Sequence, residues 1–344
     1  MRIIAGLAVL AAGACLAACA GVDGAGPTPG PPTAAGTTGP CVVTEKLIPT
    51  CGAWWGIAPD VFSGRAPLRS VEMAERRMGR RADIVHVYHH GADLFPTPEE
   101  RLIAQGPRLL LVNWKVAVDH TWAQVAKGAV DDRIDRLAAY IAGTFPGRFF
   151  LSVEQEPEND VRPGRGYSAA DYAAMFRHVV TRLRQQGVTN AVTVMTYTGA
   201  PDYTAKPWFD KLYPGDDVVD WVAVDPYADG RDGDFAALVN RTRPGRPSWP
   251  GFYRWIQNRF PAKPIMLAEW GAYERPDRPR LKRDLFVSAA KQIGEFPQIK
   301  ALVYFDSAVA GGGDTRFDTT PGATRAFGAL GRLHRFNATA VPAS

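Results

Sequence analysis

RFFLSVEQEPENDVRPGRGYSAADYAAMFRHVVTRLRQQGVTNAVTVMTY (148–197) contains a strand, a helix and a second strand in close succession. RFFLSVE and AVTVMTY are short apolar runs typical of buried strands, whereas the segment between them repeats its apolar residues at helical spacing. Ser168 is a suitable N-cap for this helix, and Gly187 is a suitable stop. Two buried strands joined by a helix predict a parallel sheet covered by helices.

The same strand-and-helix order recurs from about residue 51 onward and gives eight predicted strands. This favours an α/β fold of the (β/α)8, or TIM barrel, class, whose usual length is about 250 residues. The alternative is a doubly wound open sheet, but neither GxGxxG nor a P-loop follows the first strand. The other predicted strands are AWWGI (53–57), DIVHVYH (83–89), RLLLVNW (108–114), VVDWVAV (218–224), PIMLAE (264–269) and ALVYFD (301–306).

The N-terminal region predicts export rather than a further domain. Residues 1–18 read as a signal peptide, and LAAC (16–19) resembles a lipobox that would lipidate Cys19; the alternative is an ordinary cleaved signal. Residues 19–40 form a Gly/Pro/Thr tether, which leaves 41–338 as the barrel and 339–344 as a tail. We therefore expect a protein held at the outer face of the bacterial membrane by a lipid anchor alone, or secreted.

The cysteines, the net charge and the missing metal motifs indicate which partners and cofactors to expect. Export places Cys41 and Cys51 in an oxidising compartment, which predicts a disulfide between them. The net charge of +5 is spread along 344 residues without a Lys/Arg block, so we expect no nucleic-acid partner. No CxxC or HExxH is present, so neither a metal nor another cofactor is expected, and His89 is assigned to a polar pocket rim. We also expect a monomer.

Polar and aromatic residues follow the predicted strands, and in a TIM barrel these positions gather at one face. Glu156 follows the fourth strand and Glu269 follows the seventh, on opposite sides of the rim. Cleavage of a glycosidic bond needs two such carboxyl groups, and aromatic faces stack on sugar rings. The alternative for either glutamate alone is an ion pair with a loop arginine. The remaining rim candidates are His89, Trp114, Tyr197, Asp225, Tyr227, Trp270 and Phe305.

Strand alternation separates the glutamates of EQEPEN (154–159). Glu154 and Glu156 have the same parity and are predicted to face the barrel interior, with Glu154 one layer deeper. Glu154 is therefore expected to tune the pKa of Glu156. Glu158 follows Pro157 and is predicted to be a loop residue.

Five segments together resemble glycoside hydrolase family 26, the β-mannanase family of retaining (β/α)8 glycosidases. The similarity extends from about residue 51 to residue 310, and LYPGDDVVDWVAVDPY is its most specific part. It implies that Glu156 is the acid/base, that Glu269 is the nucleophile, and that Tyr227 hydrogen-bonds the nucleophile. The segments are GAVDDRIDRLAAYIAG (128–143), EQEPEN (154–159), QQGVTNAVTVM (185–195), LYPGDDVVDWVAVDPY (212–227) and KPIMLAEWG (263–271).

Several positions depart from the family pattern. Gln155 stands where the family has a histidine, Ser152 where it has an arginine, and Phe305 or Tyr304 where it has a tryptophan, while Trp114 matches a sugar-stacking position. The predicted substrate is therefore a β-linked polysaccharide: mannan, mixed-linkage glucan or a β-1,3-xylan. The alternatives are a non-catalytic carbohydrate-binding barrel and an envelope-glycan transglycosylase. For retention, the two carboxyl groups should lie about 5 to 5.5 Å apart.

Overall fold

Eight parallel strands close into a barrel. The computed structural model describes residues 41–230, 232–309 and 313–337. Each barrel strand pairs with the next, and the ring closes through β1 with β9 and β6 with β8, so the predicted (β/α)8 fold is confirmed. The barrel strands are β1 Trp54–Pro59, β2 Ile84–His90, β3 Leu109–Lys115, β4 Phe149–Val153, β5 Ala191–Tyr197, β6 Trp221–Val224, β8 Ile265–Ala272 and β9 Ile299–Asp306. The short strands are β7 Tyr227–Ala228, β10 Ala308–Val309 and β11 Gly313–Asp314.

Helices surround the barrel, and several of them begin at a side-chain cap. The Ser168 hydroxyl accepts from the Asp171 N–H, and the Asp171 carboxylate accepts from the Ser168 N–H, which fixes the start of the longest helix. No described helix is long and apolar enough to cross a membrane. The helices are α1 Pro67–Met78, α2 Pro98–Ile103, α3 Trp122–Val125, α4 Asp131–Thr144, α5 Ala169–Gln185, α6 Phe235–Val239, α7 Phe252–Arg259, α8 Leu281–Gln292 and α9 Pro321–Gly331.

Alternation along the strands divides the apolar residues into two cores. One core fills the barrel and includes Trp54, Phe150 and Trp221, whose indole packs edge-on to the Phe150 ring at 5.2 Å. The other lies between barrel and helices; there Trp55 packs 4.9 Å from Phe327. Neighbouring residues of one strand thus serve opposite layers.

The segment before β1 covers the amino-terminal end of the barrel. A disulfide joins Cys41 to Cys51, the pairing expected from the sequence. Inside this loop, the Leu47 carbonyl accepts from the Trp54 indole at 2.7 Å, and the Lys46 carbonyl accepts from Trp221 at 2.7 Å. The loop therefore satisfies the indole N–H groups at the bottom of the interior core. The predicted signal peptide (1–18), the tether (19–40) with Cys19 and the tail (339–344) lie outside the described residues.

Candidate active site

A cleft of about 320 Å³ opens at the carboxyl ends of the barrel strands. Glu156 and Glu269 both line it, so the structure brings together the two carboxyl groups that the sequence singled out. One wall is aromatic: the Phe305 ring lies 6.1 Å from Tyr227 and 6.2 Å from Phe62. The cleft therefore has a polar floor and one aromatic wall, an arrangement that suits a sugar ring.

The backbone conformation after β4 points the side chains of Glu154 and Glu156 in different directions. Glu154 and Glu156 both have left-handed conformations, with φ of 50° and 55°. Such a conformation costs a residue with a side chain about 1 kcal/mol or more, so it persists only where other contacts hold it. Here the Glu154 N–H donates to Trp114 O at 3.0 Å and the Glu156 N–H donates to Thr196 O at 3.1 Å. Strand alternation therefore ends at Val153.

Glu154 consequently does not face the cleft. Its carboxylate accepts from the Ala117 N–H at 2.7 Å and from the Trp122 indole at 3.3 Å, so it secures the loop after β3. The prediction that Glu154 tunes Glu156 is wrong, because burial and Glu269 are what raise the pKa of Glu156. The positive φ of Glu154 is the physical reason, since it reverses the parity on which the prediction relied.

Glu269 is held by three side-chain donors. Oε1 accepts from the Tyr88 hydroxyl at 2.7 Å and from Gln155 Nε2 at 2.8 Å, while Oε2 accepts from the Tyr227 hydroxyl. Tyr227 reaches this position because β7 pairs alongside β8, opposite Gly271. A Cβ at Gly271 would lie 3.2 Å from the Tyr227 ring, so glycine makes room for it. Hydrogen bonds of this kind favour an ionised carboxylate.

A second carboxyl group supports this arrangement from below. Asp225 is buried; its Oδ1 accepts from the Glu269 N–H at 2.8 Å, and its Oδ2 accepts from Gln155 Nε2. Gln155 thus bridges Asp225 and Glu269 through one amide nitrogen. Burial and the carboxyls of Glu269 and Glu156 raise the pKa of Asp225 well above its usual value. Asp225 and Gln155 line the cleft floor and orient Glu269.

The two cleft glutamates have unequal surroundings. Burial and the neighbouring Glu269 raise the pKa of Glu156 to about 8, against a single opposing hydrogen bond from Asn159. Burial also raises the pKa of Glu269, but the hydrogen bonds from Tyr227, Tyr88 and Gln155 oppose that rise. Glu156 is therefore the better proton carrier near neutral pH, and Glu269 is the better site for the negative charge.

Four predicted substrate-binding residues do not reach the cleft. Trp114, Tyr197 and Trp270 are buried in the core outside the barrel; the Trp114 indole donates to Gly91 O at 3.1 Å. Alternation explains this for Trp114 and Tyr197, which directly follow inward-facing residues, whereas Trp270 is turned outward by an irregularity in β8 between Leu267 and Trp270. His89 likewise points outward, with Nε2 2.8 Å from Glu100 Oε1. These four predictions are corrected, whereas Gln155, Tyr227, Asp225 and Phe305 lie at the cleft.

Other cleft residues were missed by the sequence reasoning. Tyr88 has the inward parity of β2, a signal that could have identified it. Phe62 is 61% exposed at the mouth of the cleft and lies in a loop, where no periodicity marks it. Tyr273 stacks on Tyr227 at 5.4 Å. Glu158 lies in the turn after β4, as predicted, and is buried there: its Oε1 accepts from the Thr198 N–H at 3.2 Å.

No group of three or more metal-ligating side chains with suitable geometry occurs among the described residues. The polar groups of the cleft are instead hydrogen-bonded to one another.

Comparison with known proteins gives partial sequence matches. No family model matches the chain. Endoglucanase H from Acetivibrio thermocellus is 24% identical over 236 residues, which are 65% of this chain and 24% of that protein. A beta-1,3-xylanase from a Vibrio species is 31% identical over 104 residues, or 30% of this chain and 22% of that protein. The chain thus spans about a quarter of the length of these curated relatives.

Solved structures match over most of the chain. The family 26 domain of an endo-beta-mannanase/endo-beta-glucanase from Prevotella bryantii gives a TM-score of 0.59 at 10% identity, covering 85% of this chain and 92% of that one. The chain has the fold of the family 26 glycoside hydrolases. A beta-mannanase from a symbiotic protist of the termite Reticulitermes speratus gives 0.57 at 12% identity, covering 88% and 100%. The resemblance expected from the sequence is thereby confirmed for the fold.

Proposed function

We propose that the protein is a retaining glycoside hydrolase that cleaves a β-linked polysaccharide by double displacement. Glu269 attacks the anomeric carbon while Glu156 protonates the departing oxygen; Glu156 then activates the water that releases the sugar from the covalent intermediate. The observation that carries this proposal is the unequal hydrogen bonding of the half-buried Glu156 and the buried Glu269 in one cleft. Glu269 accepts from three side chains, whereas Glu156 accepts from Asn159 alone among the described side chains.

The substrate class follows from the aromatic wall and from the named relatives. Phe62, Tyr273 and Phe305 offer flat apolar faces beside the carboxyl groups. The relatives are named as an endoglucanase and a β-1,3-xylanase, and the structural neighbours as mannanases. A β-mannan, a mixed-linkage glucan or a β-1,3-xylan is therefore the proposed substrate. The reaction needs neither a metal nor an organic cofactor.

The proposal includes a location. LAAC (16–19) supports lipidation of Cys19 after export, with the tether (19–40) between the membrane and the barrel. The protein would then act as a monomer on glycans outside the cell. Labelling with a radioactive or clickable fatty acid, lost in Cys19→Ser, tests this part separately.

The experiment for the reaction combines glycan digestion with rescue by azide. The full chain is incubated with mannan, mixed-linkage glucan and β-1,3-xylan, and Glu295→Gln on the exposed surface serves as the control. Glu156→Ala and Glu269→Ala are incubated with dinitrophenyl β-glycosides of the corresponding oligosaccharides, whose phenolate leaves without a proton. In azide, Glu156→Ala should yield a β-glycosyl azide and Glu269→Ala an α-glycosyl azide, because azide attacks from the face that each mutation leaves open. Proton NMR of the products distinguishes the two anomers.

The outcomes separate the competing readings. If the wild type releases glycan but Glu156→Ala yields the α-azide and Glu269→Ala the β-azide, then Glu156 is the nucleophile and Glu269 is the acid/base. Binding of one glycan without release by the wild type would make the protein a carbohydrate-binding barrel. Longer products than the substrate would indicate transglycosylation. The predicted carboxyl separation of about 5 to 5.5 Å stays a prediction until a substrate complex measures it.

A further inference from the structure

The carboxyl group of Glu156 is attached to a short chain of hydrogen bonds. Asn159 Nδ2 donates to Glu156 Oε2 at 3.0 Å, and the Tyr203 hydroxyl donates to Asn159 Oδ1 at 3.1 Å. Asn159 ends the single turn Pro157–Asn159, and Tyr203 begins the turn Tyr203–Ala205 after β5. Two loops that belong to different strands therefore meet at the acid/base carboxyl.

We propose that Asn159 and Tyr203 are a positioning pair that holds the Glu156 carboxyl and sets its affinity for the proton. The proposal rests on the proposed hydrolysis, in which Glu156 gives up a proton and later takes one back. Neither residue touches the anomeric centre; both act through Glu156. Asn159 ends the segment EQEPEN, but the sequence assigned a role to neither residue.

The chemistry of the amide explains why two residues are needed. An asparagine side chain has a donor end and an acceptor end of nearly equal shape, so its orientation depends on its partners. The Tyr203 hydroxyl occupies the acceptor end and leaves the donor end facing Glu156. A donated hydrogen bond is stronger to the ionised carboxylate than to the neutral acid, so the pair favours the ionised form.

The surroundings of Glu156 make this one donor important. The charge of Glu269 disfavours the ionisation of Glu156, and the charge of Glu156 in turn raises the pKa of neighbouring acids and phenols. The guanidinium of Arg241 lines the same cleft. Burial and Glu269 raise the pKa of Glu156 to about 8, and the Asn159 hydrogen bond lowers it. A still higher pKa would leave too little carboxylate to activate water in the second step. The interacting groups are Glu269, Asp225, Tyr88, Tyr273, Glu158 and Tyr203.

The test measures the Glu156 proton directly as well as the rate. Full-length protein labelled with ¹³C at the glutamate carboxyl is titrated by NMR, and the Glu156 signal is assigned by its loss in Glu156→Gln. Asn159→Ala should raise the titration midpoint by about one pH unit, which is the usual size for loss of a hydrogen bond to a charged group. Tyr203→Phe should raise it by less. The double variant should match Asn159→Ala, because the two residues act through one contact.

A matched control and the kinetics complete the design. Asn258→Ala removes an exposed asparagine on α7 and should leave the midpoint unchanged. The alkaline limb of kcat/KM should move with the midpoint, which simple loss of folding would not produce. An unchanged midpoint in Asn159→Ala, or additive shifts in the double variant, would overturn the pair even if hydrolysis is observed. A midpoint shift in a protein that hydrolyses no glycan would uphold the pair and overturn the proposed function.

Discussion

Glu158 should make the stability of the fold fall as pH rises. Its side chain is 2% exposed, its Oε1 accepts from the Thr198 N–H, and its Oε2 has no hydrogen-bond partner in the described structure. Burial, with a smaller contribution from Glu156, raises the pKa of Glu158 from 4.5 to about 8. Folding therefore takes up a proton here between those pH values.

The sign and size follow from proton linkage. A carboxyl whose pKa is higher in the folded state favours folding below pH 4.5, and this contribution is lost as pH rises through 8. A rise from 4.5 to about 8, at roughly 1.4 kcal/mol per pH unit, corresponds to at most about 5 kcal/mol. Glu158→Gln keeps an acceptor for the Thr198 N–H but has no proton to lose. The variant should gain stability over the wild type as pH rises from 5 to 9.

Urea unfolding at several pH values measures this gain. Loss of the carboxyl hydroxyl and burial of the amide add a cost that is the same at every pH, so only the pH dependence of the difference matters. Glu295→Gln on the surface is the control and should run parallel to the wild type. If the difference between Glu158→Gln and the wild type is the same at pH 5 and pH 9, Glu158 takes up no proton on folding and the reasoning is refuted.

Two further predictions concern the cleft. Tyr227→Phe removes one hydrogen bond to Glu269 and should lower kcat/KM by about 10- to 100-fold, mainly through kcat. The control variant Tyr167→Phe lies outside the cleft and should leave kcat/KM unchanged. If both variants lose kcat/KM equally, Tyr227 has no specific role at the nucleophile. Phe62→Ala should raise KM for oligosaccharides about tenfold, and it should leave the melting temperature unchanged because the ring is 61% exposed. Steady-state kinetics and a thermal melt measure the two quantities. An unchanged KM would show that Phe62 is not part of the binding surface.

The barrel could be predicted from the sequence because each strand is an uninterrupted apolar run followed by a polar rim. The same rule places Glu269 in the cleft, and it also explains the errors at Trp114, Tyr197 and Trp270. Trp114 and Tyr197 follow an inward residue of their strands, so period-two alternation turns them toward the helices, whereas a register shift between Leu267 and Trp270 turns Trp270 outward. Counting parity strictly, rather than collecting every aromatic residue at a strand end, would have assigned Trp114 and Tyr197 to the outer core, but it would have placed Trp270 inside the barrel with Met266 and Ala268.

Loop residues could not be predicted in the same way. The direction of the Glu154 side chain was predicted wrongly because the positive φ of this residue ends the strand alternation. The sequence EQEPEN contains no residue type that indicates a left-handed conformation. Phe62, Asn159 and Tyr203 lie in turns whose positions depend on the barrel that carries them. Their contacts follow from tertiary structure, in which segments far apart in sequence meet at one mouth.

The disulfide loop and the cleft lie at opposite ends of the barrel. Cys41 enters at that end, where Lys46 and Leu47 hold the indoles of Trp221 and Trp54, and the cleft opens at the opposite end. The first described residues of the chain therefore lie at the end of the barrel opposite the cleft. Substitutions in the disulfide loop can therefore change the packing at the bottom of the interior core without touching the residues that line the cleft.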